Sequence, residues 1–245
     1  MSLNKKGVDA LLEEYSRKKE AIRKRLDDFR RVGSDSSEER LFAELAFCLC
    51  TPQSKAKTCW AAVTGIEKSG LLLSGGSDEI SKNLKGVRFH RNKARYIEEA
   101  RAALTTGGKL DVRGAIFGNN REPGNESTSK KRHGTMNGPS CGSDSFGAVI
   151  EAREWLIANI KGLGYKEASH FLRNIGMGQG IAILDRHILK NLKLLGVIDE
   201  VPKSLTRKKY MEIEQSMSDF CNRTGVPEEE LDLLLWSREA GEIFK

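Results

Sequence analysis

No apolar run in this chain approaches the roughly 18 residues that a membrane-spanning helix requires. The opening Met1-Ser2-Leu3-Asn4-Lys5-Lys6-Gly7 leads into charged residues without a signal-peptide core. A soluble protein retained inside the cell, in cytoplasm or nucleoid, is therefore expected. There is also no Cys-x-x-Cys pair. The five cysteines, at 48, 50, 59, 141 and 221, are odd in number and scattered, which argues against a disulfide framework and leaves reduced thiols. Cys48 and Cys50 lie in the apolar stretch Leu45-Ala46-Phe47-Cys48-Leu49-Cys50 and are read as small core residues rather than metal ligands. Strand-like alternation of polar and apolar residues is missing too, so the fold class is all-α.

What is present supports a folded, helical chain. Its 245 residues, 38% hydrophobic with 24 glycines, are enough for a sizeable core. The formal charge of +7 leans toward a polyanionic partner. Its distribution says more: from Lys82 to Arg95 there are six basic residues (82, 85, 88, 91, 93, 95), one histidine and no acid. A stripe this one-sided is a candidate phosphate-contact surface.

Apolar spacing and caps predict a helix over 8–32 stopped by Gly33, one over about 37–50 opened by Ser36-Ser37-Glu38-Glu39, and one over 54–67 opened by Ser54. Further helices are expected over 77–83, 92–105 (opened by Asn92), 148–160 and 165–175. Beyond the link Gly176-Met177-Gly178-Gln179-Gly180 come a short apolar entry and helices over about 185–195, 204–222 and 227–240. Residues 106–147, rich in Gly, Asn, Ser, Lys and Arg, read as a mobile insertion. Within it, Lys130-Lys131-Arg132-His133 is a further basic run, and the sequon at Asn125 is taken as chance.

One constellation carries chemistry. Ile160-Lys161-Gly162-Leu163-Gly164-Tyr165-Lys166 places a Gly-x-Gly hairpin between two helices, with Gly162 and Gly164 allowing the tight turn and a close approach by phosphate. Backbone N–H groups there can hold a DNA phosphate without reading sequence. Lys166 falls in the first turn of the second helix, where burial and the helix dipole oppose a positive charge. Nineteen residues on, Asp185 stands at the start of another helix, where the same dipole favours the carboxylate. An amine able to attack carbon and a carboxylate able to take its proton suggest nucleophilic catalysis by lysine.

This combination resembles the helix-hairpin-helix DNA glycosylase superfamily, and within it the archaeal-type 8-oxoguanine DNA glycosylase/AP lyases. The matching stretches are Glu44 to Cys48 with Thr51 to Lys57, Gly86-Val87-Arg88-Phe89, Lys161 to Gly176, Ile183 to Leu189, and Leu235-Trp236 with Lys245. Lys161 departs from the proline that many superfamily hairpins carry. The resemblance implies a six-helix barrel over 36–175 and a second helical domain from 1–35 and 176–245, with the active cleft between them. It also implies a monomer that binds double-stranded DNA containing 8-oxoguanine and flips out the damaged nucleotide. Lys166 would then form a Schiff base with the sugar and Asp185 would assist, releasing the base and nicking the strand by β-elimination. Gln53 would fill the gap left by the flipped base, and Phe89, between Arg88 and Arg91, would wedge beside the opposite strand. Trp236 and Lys245 would belong to the base pocket. No metal or organic cofactor is expected, and the superfamily's iron–sulfur cluster is unsupported because the C-terminal part has only Cys221. Two other readings stay open: a relative acting on oxidised pyrimidines or abasic sites, and a non-catalytic helix-hairpin-helix DNA-binding protein.

Overall fold

The computed structural model describes residues 3–118 and 143–245, and these are mostly helical. α1 (Lys5–Asp35) opens with Asn4, whose side chain accepts from the Gly7 N–H, and turns Leu11, Tyr15, Ile22, Leu26 and Phe29 inward at helical spacing. Gly33 does not stop it. A Cβ there would lie 2.0 Å from the Ile175 carbonyl oxygen, so the glycine serves close backbone packing. α2 (Glu38–Cys50), capped by Ser37, is buried from Leu41 onward, with Cys48 and Cys50 in the core as expected.

α3 (Ala56–Lys68) starts after Ser54, and α6 (His90–Ala103) starts before Asn92, so neither expected cap is used. Ser54 instead accepts hydrogen bonds from the Arg88 N–H and the Lys93 ammonium, a long-range demand that outweighs local capping. Between them lie the short α4 (Leu71–Ser74), which the sequence did not announce, and α5 (Ser77–Asn83).

The expected insertion begins too early and ends too late. Thr105–Thr106 (β1) pairs antiparallel with Lys109–Leu110 (β2), and α7 (Val112–Phe117) follows, burying Val112, Ala115 and Ile116 in the core. Arg113 fastens this turn, reaching Glu38 and the carbonyls of Gly33 and Ser36 at 2.9 and 2.8 Å. α8 (Ser143–Asn159) starts five residues before the expected helix. The remainder, including Asn125, Cys141 and the run at 130–133, lies outside the described residues.

α9 (Tyr165–Asn174) is buried from Ala168 to its end, and α10 (Arg186–Leu194), α11 (Arg207–Thr224) and α12 (Glu228–Ala240) complete the chain. Buried apolar residues form two cores. One runs from Leu41 to Ile181; the other joins α1 to Ala182–Leu235. α1 meets α12 through Tyr15, which donates to Glu230 at 2.6 Å, and Arg30, 2.7 Å from Glu229. Three buried ion pairs cross between elements of the two cores: Arg153–Glu214, Arg173–Asp232 and Lys245–Glu44. Pairs of this kind add little net stability, but separating their members is costly, so they penalise misalignment.

Candidate active site

Where the two cores meet lies a cavity of about 1080 Å³. The turn 51–54, Arg88 and α9 wall one side; Ile183–His187, α12 and Lys245 wall the other.

The Gly-x-Gly hairpin joins α8 to α9. Gly162 has φ +94°, and a Cβ there would lie 2.5 Å from the Tyr96 ring, so both backbone and space demand glycine. Gly164 is different. Its φ is −105°, and a Cβ would come no nearer than 3.4 Å to Glu167, so the turn does not require a glycine at this position. Lys161 turns outward to Glu99 at 3.3 Å.

Lys166 follows in the first turn of α9. Its side chain is 21% exposed, with the amine 3.4 Å from Thr51 Oγ1 and 3.6 Å from Glu167, and it lines the cavity. Asp185 is the N-cap of α10. Its Oδ1 accepts from the His187 and Ile188 N–H groups, both at 2.8 Å, while Oδ2 has no hydrogen bond among the described residues. Asp185 lines the same cavity. An amine and a carboxylate thus share one cavity, each held at a helix start.

Gln53 and Phe89 are the only residues other than glycine with positive φ among the described residues, at 56° and 57°. Both are exposed, Phe89 by 54%, which excludes a core role for its ring. Backbone held this way costs about 1–3 kcal/mol per residue and is retained where surrounding structure enforces it. Here the enforcing group is Lys93. Its ammonium donates to the carbonyls of Cys50 and Pro52, both at 2.7 Å, and to Ser54 Oγ at 3.1 Å. Ser54 in turn accepts from the Arg88 N–H at 3.0 Å, tying the Gln53 turn to the Phe89 turn. Lys93 is 4% exposed and so leaves the expected phosphate stripe; Lys82, Lys85, Arg88, Arg91 and Arg95 stay on the surface.

Trp236 lines the cavity half-buried, its ring 6.4 Å from that of Phe244. Lys245 also lines it, but its ammonium is directed into the first core. There it donates to Glu44, lies 3.7 Å from the Trp60 ring centre, and is pushed down to about 8 by burial against the pull of Glu44.

Three cavity residues went unnoticed in the sequence. His170, one turn after Lys166, is 6% exposed with neither ring nitrogen hydrogen-bonded among the described residues. Burial, then the charges of Arg173, Lys166 and Lys245, hold it well below the ordinary histidine range. Asp232 pairs with Arg173 at 2.6 Å, and burial pushes it up to about 6, opposed by Arg173 and reinforced by Asp185. Their available signal was a charge set in apolar helix text, Phe171-Leu172-Arg173 and Leu231-Asp232-Leu233.

Comparison with known proteins agrees along almost the whole chain. The 8-oxoguanine DNA glycosylase family model matches residues 22–226. The 8-oxoguanine DNA glycosylase/AP lyase of Fusobacterium nucleatum is 40% identical over 231 residues, 94% of each chain. The crystal structure of the Methanocaldococcus jannaschii 8-oxoguanine glycosylase/lyase, in complex with 15mer DNA containing 8-oxoguanine, is 32% identical with a TM-score of 0.77, covering 97% of this chain and 99% of that one. For the Thermotoga maritima 8-oxoguanine DNA glycosylase the values are 30%, 0.76, 97% and 98%. Likeness of this extent makes the chain a member of the 8-oxoguanine DNA glycosylase/AP lyase family.

Proposed function

We propose that this protein excises 8-oxoguanine from duplex DNA and cleaves the strand through a covalent intermediate on Lys166. The observation that carries the reading is the shared cavity of the Lys166 amine and the Asp185 carboxylate. An extruded nucleotide enters the cavity between the two helical units, a six-helix barrel and a second cluster. Lys166 Nζ attacks C1′ as the C1′–N9 bond breaks and its electron pair leaves with the base. Asp185, through its uncommitted Oδ2, takes the ammonium proton and steadies positive charge developing on the sugar. Loss of the ring oxygen's bond to C1′ gives the imine. A proton then leaves C2′ and the C3′–O bond breaks, which is β-elimination.

The remaining residues hold DNA. Backbone N–H groups of the Gly162–Gly164 hairpin and the exposed Arg88 and Arg91 contact phosphates. Gln53 and Phe89, on their enforced turns, enter the duplex where the nucleotide has left. Trp236 offers a stacking face to the extruded base, and Lys245 completes that pocket.

Borohydride reduction of the protein with 8-oxoguanine duplex tests this. A covalent protein–DNA adduct is expected; its absence, with intact DNA binding, overturns the catalytic reading in favour of a binding module.

A further inference from the structure

We infer that Tyr210 is a positioning residue for the excision reaction, its hydroxyl holding the backbone that leads into Asp185 while its ring packs against Tyr165, the neighbour of Lys166. The inference rests on the function proposed above and adds to it the group that sets the two reacting side chains in register.

Lys166 and Asp185 do not fix each other. The Lys166 amine faces Thr51 and Glu167, and Asp185 is engaged by the first N–H groups of α10. Asp185 is reached through residues 181–184, which are buried and are neither helix nor strand. Irregular backbone has no ladder to satisfy its polar groups, so where it is buried other groups must do so. Here α11 supplies them. The Tyr210 hydroxyl donates to the Ala182 carbonyl at 2.6 Å and accepts from the Leu184 N–H at 3.3 Å. One turn further along α11, Glu214 accepts from the Ala182 N–H at 2.7 Å. The Asp185 N–H closes on the Ile183 carbonyl at 2.8 Å, so the turn into the α10 cap continues directly from the segment that α11 grips.

The same helix reaches the Lys166 side. The Tyr210 ring lies 5.3 Å from that of Tyr165, tilted by 37°. Arg207, on the turn before Tyr210, donates to the Tyr165 hydroxyl at 2.7 Å. Arg153 of α8 lies 5.5 Å from the centre of the Tyr165 ring while pairing with Glu214. Because α9 begins with Tyr165 and Lys166, bracing the first places the second. Tyr210 thus takes part in both attachments, by its ring to one side of the cavity and by its hydroxyl to the other. Burial pushes its phenol well above the ordinary tyrosine range, so the hydroxyl stays protonated near neutral pH. A misplacement of about 1 Å in a reacting group costs on the order of 100-fold in rate, which is the scale on which loss of this hydroxyl should be felt.

Tyr210→Phe keeps the ring on Tyr165 and removes the hydroxyl. Single-turnover excision of 8-oxoguanine should slow by about 30-fold, with duplex affinity within about threefold of the wild type. In an Asp185→Asn background the same substitution should change the rate by less than about threefold, because the group being placed no longer takes a proton and the two effects cannot add. Phe220→Leu controls for stability alone: it is buried on the same helix, about 15 Å further along. It should lower the melting temperature and leave excision within about threefold. Equal slowing by Tyr210→Phe in both backgrounds, unchanged excision, or a matching loss in Phe220→Leu overturns the inference. Loss of cooperative unfolding in Tyr210→Phe overturns it too, by making the hydroxyl a support of the whole fold. Failure of the wild-type protein itself to trap 8-oxoguanine DNA under borohydride would instead overturn the proposed function.

Discussion

The Lys93 ammonium donates to the Pro52 carbonyl at 2.7 Å, and through that bond a basic residue of α6 holds the turn that presents Gln53. Replacing Lys93 with Met leaves the Cys50 and Pro52 carbonyls without their donor, a loss of about 1–3 kcal/mol. Urea denaturation should show that loss, while the slope of log K against log salt for DNA binding stays as in the wild type. A slope reduced by a full unit would return Lys93 to the phosphate surface.

Arg88 and Arg91 should behave oppositely. Neutralising both to Gln removes exposed charges, so affinity for damaged and undamaged duplex should fall together, with the salt slope flattening by nearly one unit per phosphate contact. Folding stability should be unaffected within about 0.5 kcal/mol. Binding that keeps its salt dependence would show the stripe to be a solvated face.

Lys166→Gln should abolish base release and borohydride trapping while duplex affinity stays within about tenfold, because backbone groups supply much of the phosphate grip. Asp185→Asn retains a side-chain acceptor for the α10 cap but cannot take a proton, so excision should slow by at least about 100-fold at unchanged affinity. Trapping by the lysine variant would assign the nucleophile elsewhere.

His170 predicts a pH effect. Because its imidazole stays neutral well below 6.5 when folded, the unfolded chain takes up a proton that the folded one does not. The contribution is complete above that value and lost as pH falls, with a limiting slope of about 1.4 kcal/mol per pH unit. Asp232, raised from 3.8 to about 6, acts in the reverse sense, stabilising toward acid over that window. Comparison of wild type with His170→Phe cancels the aspartate. The variant should lose less stability between about pH 7 and 5 in urea titrations; parallel curves would rule out a titrating role for the histidine.

The first turn after the small hairpin predicts a limit on deletion. Replacing 113–145 with a short Gly/Ser linker removes Arg113 and its three-way attachment, the buried Ala115 and Ile116, and the start of α8. Such a protein should lose several kcal/mol or fail to fold, since core truncations alone cost about 2–5 kcal/mol each. A stable product with native thermal unfolding would show α7 to be dispensable.

Helices with strong local punctuation were legible in the sequence. Pro227 before α12 is of this kind, as is Asp185 at α10, and the catalytic candidates were readable for the same reason: a glycine hairpin and an N-cap are local signals. Ser54 misled because capping preference gave way to a contact thirty-four residues distant, the Arg88 N–H on Ser54, and Asn92 misled because α6 already starts at His90, after the left-handed Phe89. Val112, Ala115 and Ile116 do carry helical spacing, but the glycine- and serine-rich text around them masked it. Glu44, Arg173 and Asp232 were legible only as charges out of place. What each is for depends on partners 59 and 201 residues away in Arg173–Asp232 and Glu44–Lys245.

The packing of α1 on α12 sets an order of assembly. Tyr15 and Glu230 are separated by 215 residues, so on a ribosome adding roughly 5–20 residues per second α1 waits roughly 10–40 s for its partner. The residues of the first core, which end at Ile181, are all synthesised before α12, and until α12 follows the stripe of Leu11, Ile22 and Phe29 has no cover from it. Lys166 and the wall that carries it are therefore synthesised before Asp232 and Trp236, which wall the cavity opposite it. The amine is thus made early in the chain, and the segment that closes the cavity opposite it, α12 with Lys245, is made last.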